Sequence, residues 1–114
     1  MGKYHVHRND ENAEAIIGWL ERHGASVARS GRPTDVIVGY RSLSALAEIK
    51  TLKGALRPSQ KAFLGSWKGA AAVLRTTMDA KELLTWMEAC ASHVPISLLG
   101  HGAWMVAREW GGKR

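Results

Sequence analysis

Asp35, Glu48 and Lys50 are the residues of this chain best suited by type and spacing to do chemistry. They fall in two short stretches of strand character. Thr34–Tyr40 is rich in β-branched residues, Ala45–Thr51 alternates, and a short polar link joins them tightly enough for an antiparallel hairpin. Alternate side chains on a strand share a face, so Glu48 and Lys50 point the same way with Leu46, and Asp35 points with Ile37. Directly opposed residues also share a side. A register in which opposed numbers sum to 83 or 85 therefore gathers Asp35, Glu48 and Lys50 into one patch. An even sum scatters them and drives polar groups into the apolar layer, so the odd register is expected. Two carboxylates and an amine at the end of an apolar hairpin are costly to hold without a partner. The natural partner is a hard divalent cation.

The bland reading of the same residues is an ion pair with a spare acid, since Glu-x-Lys on a strand arises readily by chance. The preceding Asp, at hairpin distance after Gly31-Arg-Pro33-Thr34, favours a site. Gly31-Arg-Pro-Thr-Asp35, Glu48-x-Lys50 and then Gln60 in a following helix resemble the PD-(D/E)XK nuclease superfamily, most of all its small phage-type VRR-NUC and Holliday-junction-resolvase-like nucleases. The resemblance covers about Asn9 to Leu84 and includes a leading helix with Glu14 and a Trp67-x-Gly69. Thr34 departs from it, because the family sets Pro and Asp in direct succession; a bulge at the strand start is one way to absorb the extra residue.

The elements that must position these groups follow from periodicity. Asn9 or Asp10 is a candidate cap for a helix to about His23, whose buried stripe is Ala13, Ile16, Ile17 and Leu20. Glu14 lies one residue round from that stripe, which suits an acid aimed at a site over the sheet as well as an ordinary first-turn Glu. Ala25–Ser30 reads as a strand before the hairpin. Pro58 opens a helix to about Lys68, in which Gln60, Phe63, Leu64 and Trp67 share one face. Ala70–Arg75 reads as an apolar strand in a central position, and Asp79-x-x-Glu82 as a capping box opening a helix to about Ala91. The order is thus α-β-β-β-α-β-α, an α/β class with a mixed sheet flanked by helices. It is the order of the restriction-endonuclease-like core that the resemblance implies. Residues 9–93 form that core, 1–8 a mobile start, and 94–114 an extension whose structure the sequence leaves open. His5-x-His7 lacks a third ligand for a metal. Trp104 and Trp110 suit core or interface packing better than base stacking.

A chain of 114 residues makes one domain with a modest core. No apolar run is long enough to span a bilayer, and Met1-Gly2-Lys3-Tyr4 opens no signal peptide, so a cytoplasmic setting in a bacterial or phage-infected cell is expected. Cys90 is alone, which excludes an internal disulfide or a thiolate metal site. The net charge is +6. Between Arg29 and Arg75 stand nine Lys or Arg and only two acids, Asp35 and Glu48, while the remainder of the chain is nearly neutral. A polyanion partner fits that excess, with Arg29, Arg32, Arg41, Lys53, Arg57, Lys61 and Lys68 as candidate nucleic-acid contacts.

The resemblance supplies the rest as implication. Asp35, Glu48, Lys50 and Gln60 are the implied catalytic set, and Mg²⁺ or Mn²⁺ the implied cofactor, held by Asp35, Glu48 and the Ile49 carbonyl with Glu14 as an outer ligand. Gln60 is implied to brace Lys50 and the scissile phosphate, although helix capping would explain it too. The implied activity is metal-dependent endonucleolytic hydrolysis of DNA, selective for branched substrates and carried out by a homodimer. A duplex-nicking or restriction-type nuclease, a related ribonuclease, and a non-catalytic nucleic-acid-binding module are the alternatives.

Overall fold

The computed structural model describes the backbone of residues 8–92 and the side chains of residues 12–92. The expectations for His5, His7, Trp104, Trp110 and the 94–114 extension lie outside that range. The element order is α1 (Arg8–Arg22), β1 (Ser26–Arg29), β2 (Val36–Tyr40), β3 (Leu43–Ile49), α2 (Pro58–Ser66), β4 (Ala71–Leu74) and α3 (Thr77–Ala91). The four strands form one sheet in the order β1-β2-β3-β4. The first two pairings are antiparallel, and β4 runs parallel to β3 after the α2 crossover.

Alternation along the strands builds two apolar layers, one on each face of the sheet. Val36, Val38, Ala45, Ala47, Ile49, Ala72 and Leu74 meet Ile16, Ile17 and Leu20 of α1 and Ala80, Leu83, Leu84 and Met87 of α3. On the other face Ile37, Leu46, Ala71 and Val73 meet Leu56 and the Phe63 and Leu64 side chains of α2. β4 is buried along its whole length, as suits a parallel strand covered on both faces. Its uniformly apolar sequence had suggested a central place. Among the described residues it is instead an edge strand, and helical cover on both faces accounts for its burial.

Two other elements begin differently from expectation. α1 starts at Arg8, so Asn9 and Asp10 lie inside its first turn rather than ahead of it. The capping box of α3 is formed by Thr76 and Asp79, not by Asp79 and Glu82. Thr76 Oγ1 accepts from the Asp79 amide at 3.1 Å, and Asp79 Oδ2 accepts from the Arg75 and Thr76 amides at 2.8 and 3.2 Å. A threonine hydroxyl at the residue just before the helix reaches the N3 amide, which sets the helix start there. After α2, the Trp67 ring lies over Gly69, where a Cβ would come within 2.8 Å of the indole nitrogen. The close approach accounts for a glycine two residues after this tryptophan.

The hairpin link is shorter than the sequence suggested. Tyr40 pairs with Leu43, leaving Arg41 and Ser42 as a two-residue turn with φ of 55° and 69°. Positive φ at both positions is the type I′ arrangement that matches strand twist, but it strains side chains other than Gly, Asn and Asp. Ser42→Gly is therefore expected to raise stability by about 0.5–1 kcal/mol, read as a higher denaturation midpoint at unchanged slope. A lower midpoint would mean that the serine side chain contributes more than the strain it carries.

Candidate active site

The β2–β3 pairing has the odd register, with Val36 opposite Ala47 and Ile37 opposite Leu46. Continuing it by one residue sets Asp35 opposite Glu48. The two carboxyl groups meet closely enough to hydrogen-bond. Both project on the α2 face of the sheet, at the end where β3 and β4 finish. In α/β sheets that carboxyl end is where ligands characteristically bind.

A turn before β2 aims Asp35. The Ser30 and Gly31 amides both donate to the Asp35 carbonyl, at 3.0 and 3.2 Å, and the Ser30 hydroxyl donates to the Thr34 carbonyl at 2.8 Å. Gly31 has φ of +73°, a conformation glycine adopts without a Cβ clash, and the Arg32–Pro33 peptide is cis. Thr34 lies in the turn, and no bulge interrupts the β2–β3 pairing that follows. From Thr34 the alternation runs unbroken: Thr34, Val36 and Val38 are buried, and Asp35 faces outward. Thr34 satisfies its buried hydroxyl by donating to the Val36 carbonyl at 3.0 Å.

One backbone group holds the Asp35 side chain. The Lys50 amide donates to the Leu74 carbonyl, so the parallel ladder turns the Ile49 amide and carbonyl toward β2. The Ile49 N–H then donates to Asp35 Oδ2 at 2.8 Å. The metal-binding role implied for Ile49 concerned its carbonyl; in the structure its amide orients the acid.

Glu48 and Lys50 are both buried. Burial, followed by the negative charge of Asp35 and a hydrogen bond to it, raises the Glu48 pKa from 4.5 to about 7, while Lys50 and Arg57 oppose the rise. Burial and the neighbouring acid thus favour a proton on Glu48. A divalent cation in the proton's place would relieve the same repulsion with the all-oxygen donors that Mg²⁺ and Mn²⁺ prefer. The residues present therefore fit such an ion, although among the described residues no third His, Cys, Asp or Glu joins the pair.

The other candidates are spread more widely. Gln60 caps its own helix: its Oε1 accepts from the Arg57 amide at 2.8 Å. That arrangement corresponds to the capping alternative rather than to a brace for Lys50. Glu14 accepts from Arg29 at 2.7 Å, with both side chains largely exposed. It does so from α1, on the opposite face of the sheet from Glu48. Arg57 is close enough to act on the Glu48 carboxylate. Arg32, Lys53 and Lys61 are exposed. Arg41 sits at the far end of the hairpin from Asp35, paired with Glu88 at 3.3 Å. Lys68 precedes β4, also away from the strand ends that carry the acids.

Asn12 and Arg75 are positioning residues that sequence reasoning passed over. The Asn12 side-chain amide donates to the Lys50 carbonyl and, at 3.3 Å, to the Arg75 carbonyl. The Arg75 guanidinium donates to the Thr51 and Gly54 carbonyls. Together they fasten the chain just beyond β3 to α1 and β4. Asn12 left a trace in the sequence, since it falls four residues before Ile16 on an otherwise apolar stripe.

The raised Glu48 pKa has a thermodynamic consequence. The native state keeps a proton that the unfolded chain releases above 4.5, so its contribution is full below that pH and is lost as pH rises through about 7. Glu48→Gln, which cannot ionise, is expected to flatten that decline and to exceed the parent in stability at pH 8 by roughly 1–3 kcal/mol. Urea titrations of both proteins from pH 4 to 8 measure it, and parallel curves would contradict the raised Glu48 pKa. In comparisons of the whole chain, no protein-family model, curated protein or solved structure matches it.

Proposed function

We propose that the chain is a metal-dependent phosphodiesterase acting on DNA. The observation that carries this reading is the meeting of Asp35 and Glu48 at the carboxyl end of β3, with Lys50 and Arg57 acting on the same carboxylate. Asp35 and Glu48 would hold a Mg²⁺ or Mn²⁺ ion, with the Ile49 carbonyl on the adjoining side. Such an ion supplies Lewis acidity toward the phosphate and lowers the pKa of water.

This chain's own groups do the remaining work. The Ile49 amide fixes the rotamer of Asp35, so the acid is oriented before any ligand arrives. Lys50, buried beside Glu48, offsets negative charge developing on the phosphate oxygens. Arg57, on the rim at the start of α2, receives the phosphate and screens it from the two acids. Arg32, Lys53 and Lys61 extend the cationic surface along a bound strand. No helix among the described residues is long and apolar enough to cross a membrane.

The decisive assay incubates the protein with labelled four-way junction, linear duplex, single strand and RNA, with and without Mg²⁺. Mg²⁺-dependent cleavage of DNA is expected, with the junction preferred and a homodimer as the cutting species. Asp35→Asn, Glu48→Gln and Lys50→Met should each reduce cleavage by at least about a hundredfold. The two acid variants should bind DNA as tightly as the parent or more so, because negative charge beside the phosphate is removed. Binding without cleavage by the parent protein would leave a nucleic-acid-binding module in place of an enzyme. Preferential cleavage of RNA would reassign the substrate.

A further inference from the structure

α2 carries the chain from the end of β3 back to the start of β4, since those two strands are parallel. Its first turn therefore lies at the end of the sheet that holds Asp35 and Glu48, and its last turn at the opposite end. Arg57, just ahead of the helix, acts on the Glu48 carboxylate. Trp67, just after it, is about 15 Å away along the helix axis. Between these two points the charge has one sign. No Asp or Glu occurs from Ile49 to Met78, a stretch with six Lys or Arg.

The Lys61 amide donates to the Arg57 carbonyl at 3.0 Å, which sets those two cations one turn apart, and Gly65 follows a turn later. Arg57, Lys61 and Lys68 are all exposed. Among the described residues no atom lies within 4 Å of the place a Cβ on Gly65 would take, so the fold itself has no need of a glycine there. The helix backbone is left bare between Lys61 and Lys68, which admits close approach of a ligand. Trp67 ends the stripe with 42% of its surface exposed. The indole is held in place: it stacks on Phe63, with ring centroids 5.4 Å apart at 29°, and lies against Gly69.

A held, exposed aromatic ring in cationic, acid-free surroundings is the combination that binds single-stranded nucleic acid. Cations follow the phosphates, and the ring takes an unpaired base on its face. A duplex offers no such base, because its faces are already stacked on their neighbours. An apolar protein partner would strip water from Lys61 and Lys68 and give them no anion in return. We infer, on the basis of the DNA-cleaving reading above, that α2 is a track for a single-stranded stretch of the substrate. Arg57, Lys61 and Lys68 take its phosphates, and one unpaired base stacks on Trp67, a few nucleotides from the bond at Asp35 and Glu48. Trp67 thereby selects DNA that is unpaired beside the cleavage point, without taking part in bond breaking.

The test uses the full chain in EDTA, so cleavage plays no part, with a labelled single strand of mixed sequence and the matching duplex. Trp67→Ala should weaken single-strand binding by about tenfold and duplex binding by less than about twofold, while Trp67→Phe stays within about threefold of the parent on the single strand. Lys61→Gln and Lys68→Gln should each reduce the slope of log affinity against log salt by about 0.7. In the parent, 5-iododeoxyuridine placed along the single strand should crosslink to Trp67 on irradiation, a readout that needs no variant. Single-strand affinity unchanged in Trp67→Ala, equal losses on single strand and duplex, unchanged salt slopes, or a crosslink map without Trp67 overturns the track. Any of these in a protein that still cleaves DNA with Mg²⁺ leaves the hydrolytic reading standing. The expected losses and crosslink in a protein that cleaves nothing support the track and remove the enzyme.

Discussion

The pairing register of β2 with β3 is the constraint on which the rest of the structure depends. Opposed numbers sum to 83, and that single parity decides where every side chain of both strands goes. It sends Val36, Val38, Ala45 and Ala47 beneath α1 and α3, and Ile37 and Leu46 beneath α2. It also brings Asp35 and Glu48 together on the α2 face. A slip by one residue would bury Asp35 among the α1 and α3 side chains and expose the valines. The apolar layers and the acidic pair are therefore enforced by the same pairing, and neither can be lost alone.

That parity was legible in the sequence because it follows from alternation, which needs no knowledge of tertiary contacts. Element order was legible for the same reason, each element carrying its own period. The position of β4 was not, since an apolar four-residue strand looks alike in the middle of a sheet and at a helix-covered margin. The start of α3 was misplaced because two capping signals overlap at Asp79, and the threonine hydroxyl prevails. At the site, the spacing of Asp35, Glu48 and Lys50 was informative because strand geometry is rigid over a few residues. Helical residues were harder. Gln60 and Glu14 each find a nearer partner, the Arg57 amide one helical turn back in one case and Arg29 of β1 in the other.

The basic run from Arg29 to Arg75 shows why linear charge is a blunt signal. Its members do quite different things once folded. Arg29 and Arg41 are matched by Glu14 and Glu88 at two separate places, and Arg75 spends its guanidinium on backbone carbonyls. Lys50 is buried and Arg57 acts on Glu48. The exposed remainder, Arg32, Lys53, Lys61 and Lys68, is a smaller set than the sequence suggested. Exposed ion pairs of the Arg29 kind contribute little to stability. Their consequence is rather to reduce the cationic surface on offer at their own positions.

The bond from the Ile49 amide to the Asp35 carboxylate occupies the place where a further rung of the β2–β3 ladder would otherwise form. A side chain thus closes the sheet where main chain leaves off. Fraying of the first residue of β2 would swing the acid away in the same motion. Solvent exchange of that one amide proton consequently reports on strand integrity and on the placement of Asp35 at once. Strand order and the orientation of the Asp35 carboxylate share a single spectroscopic handle.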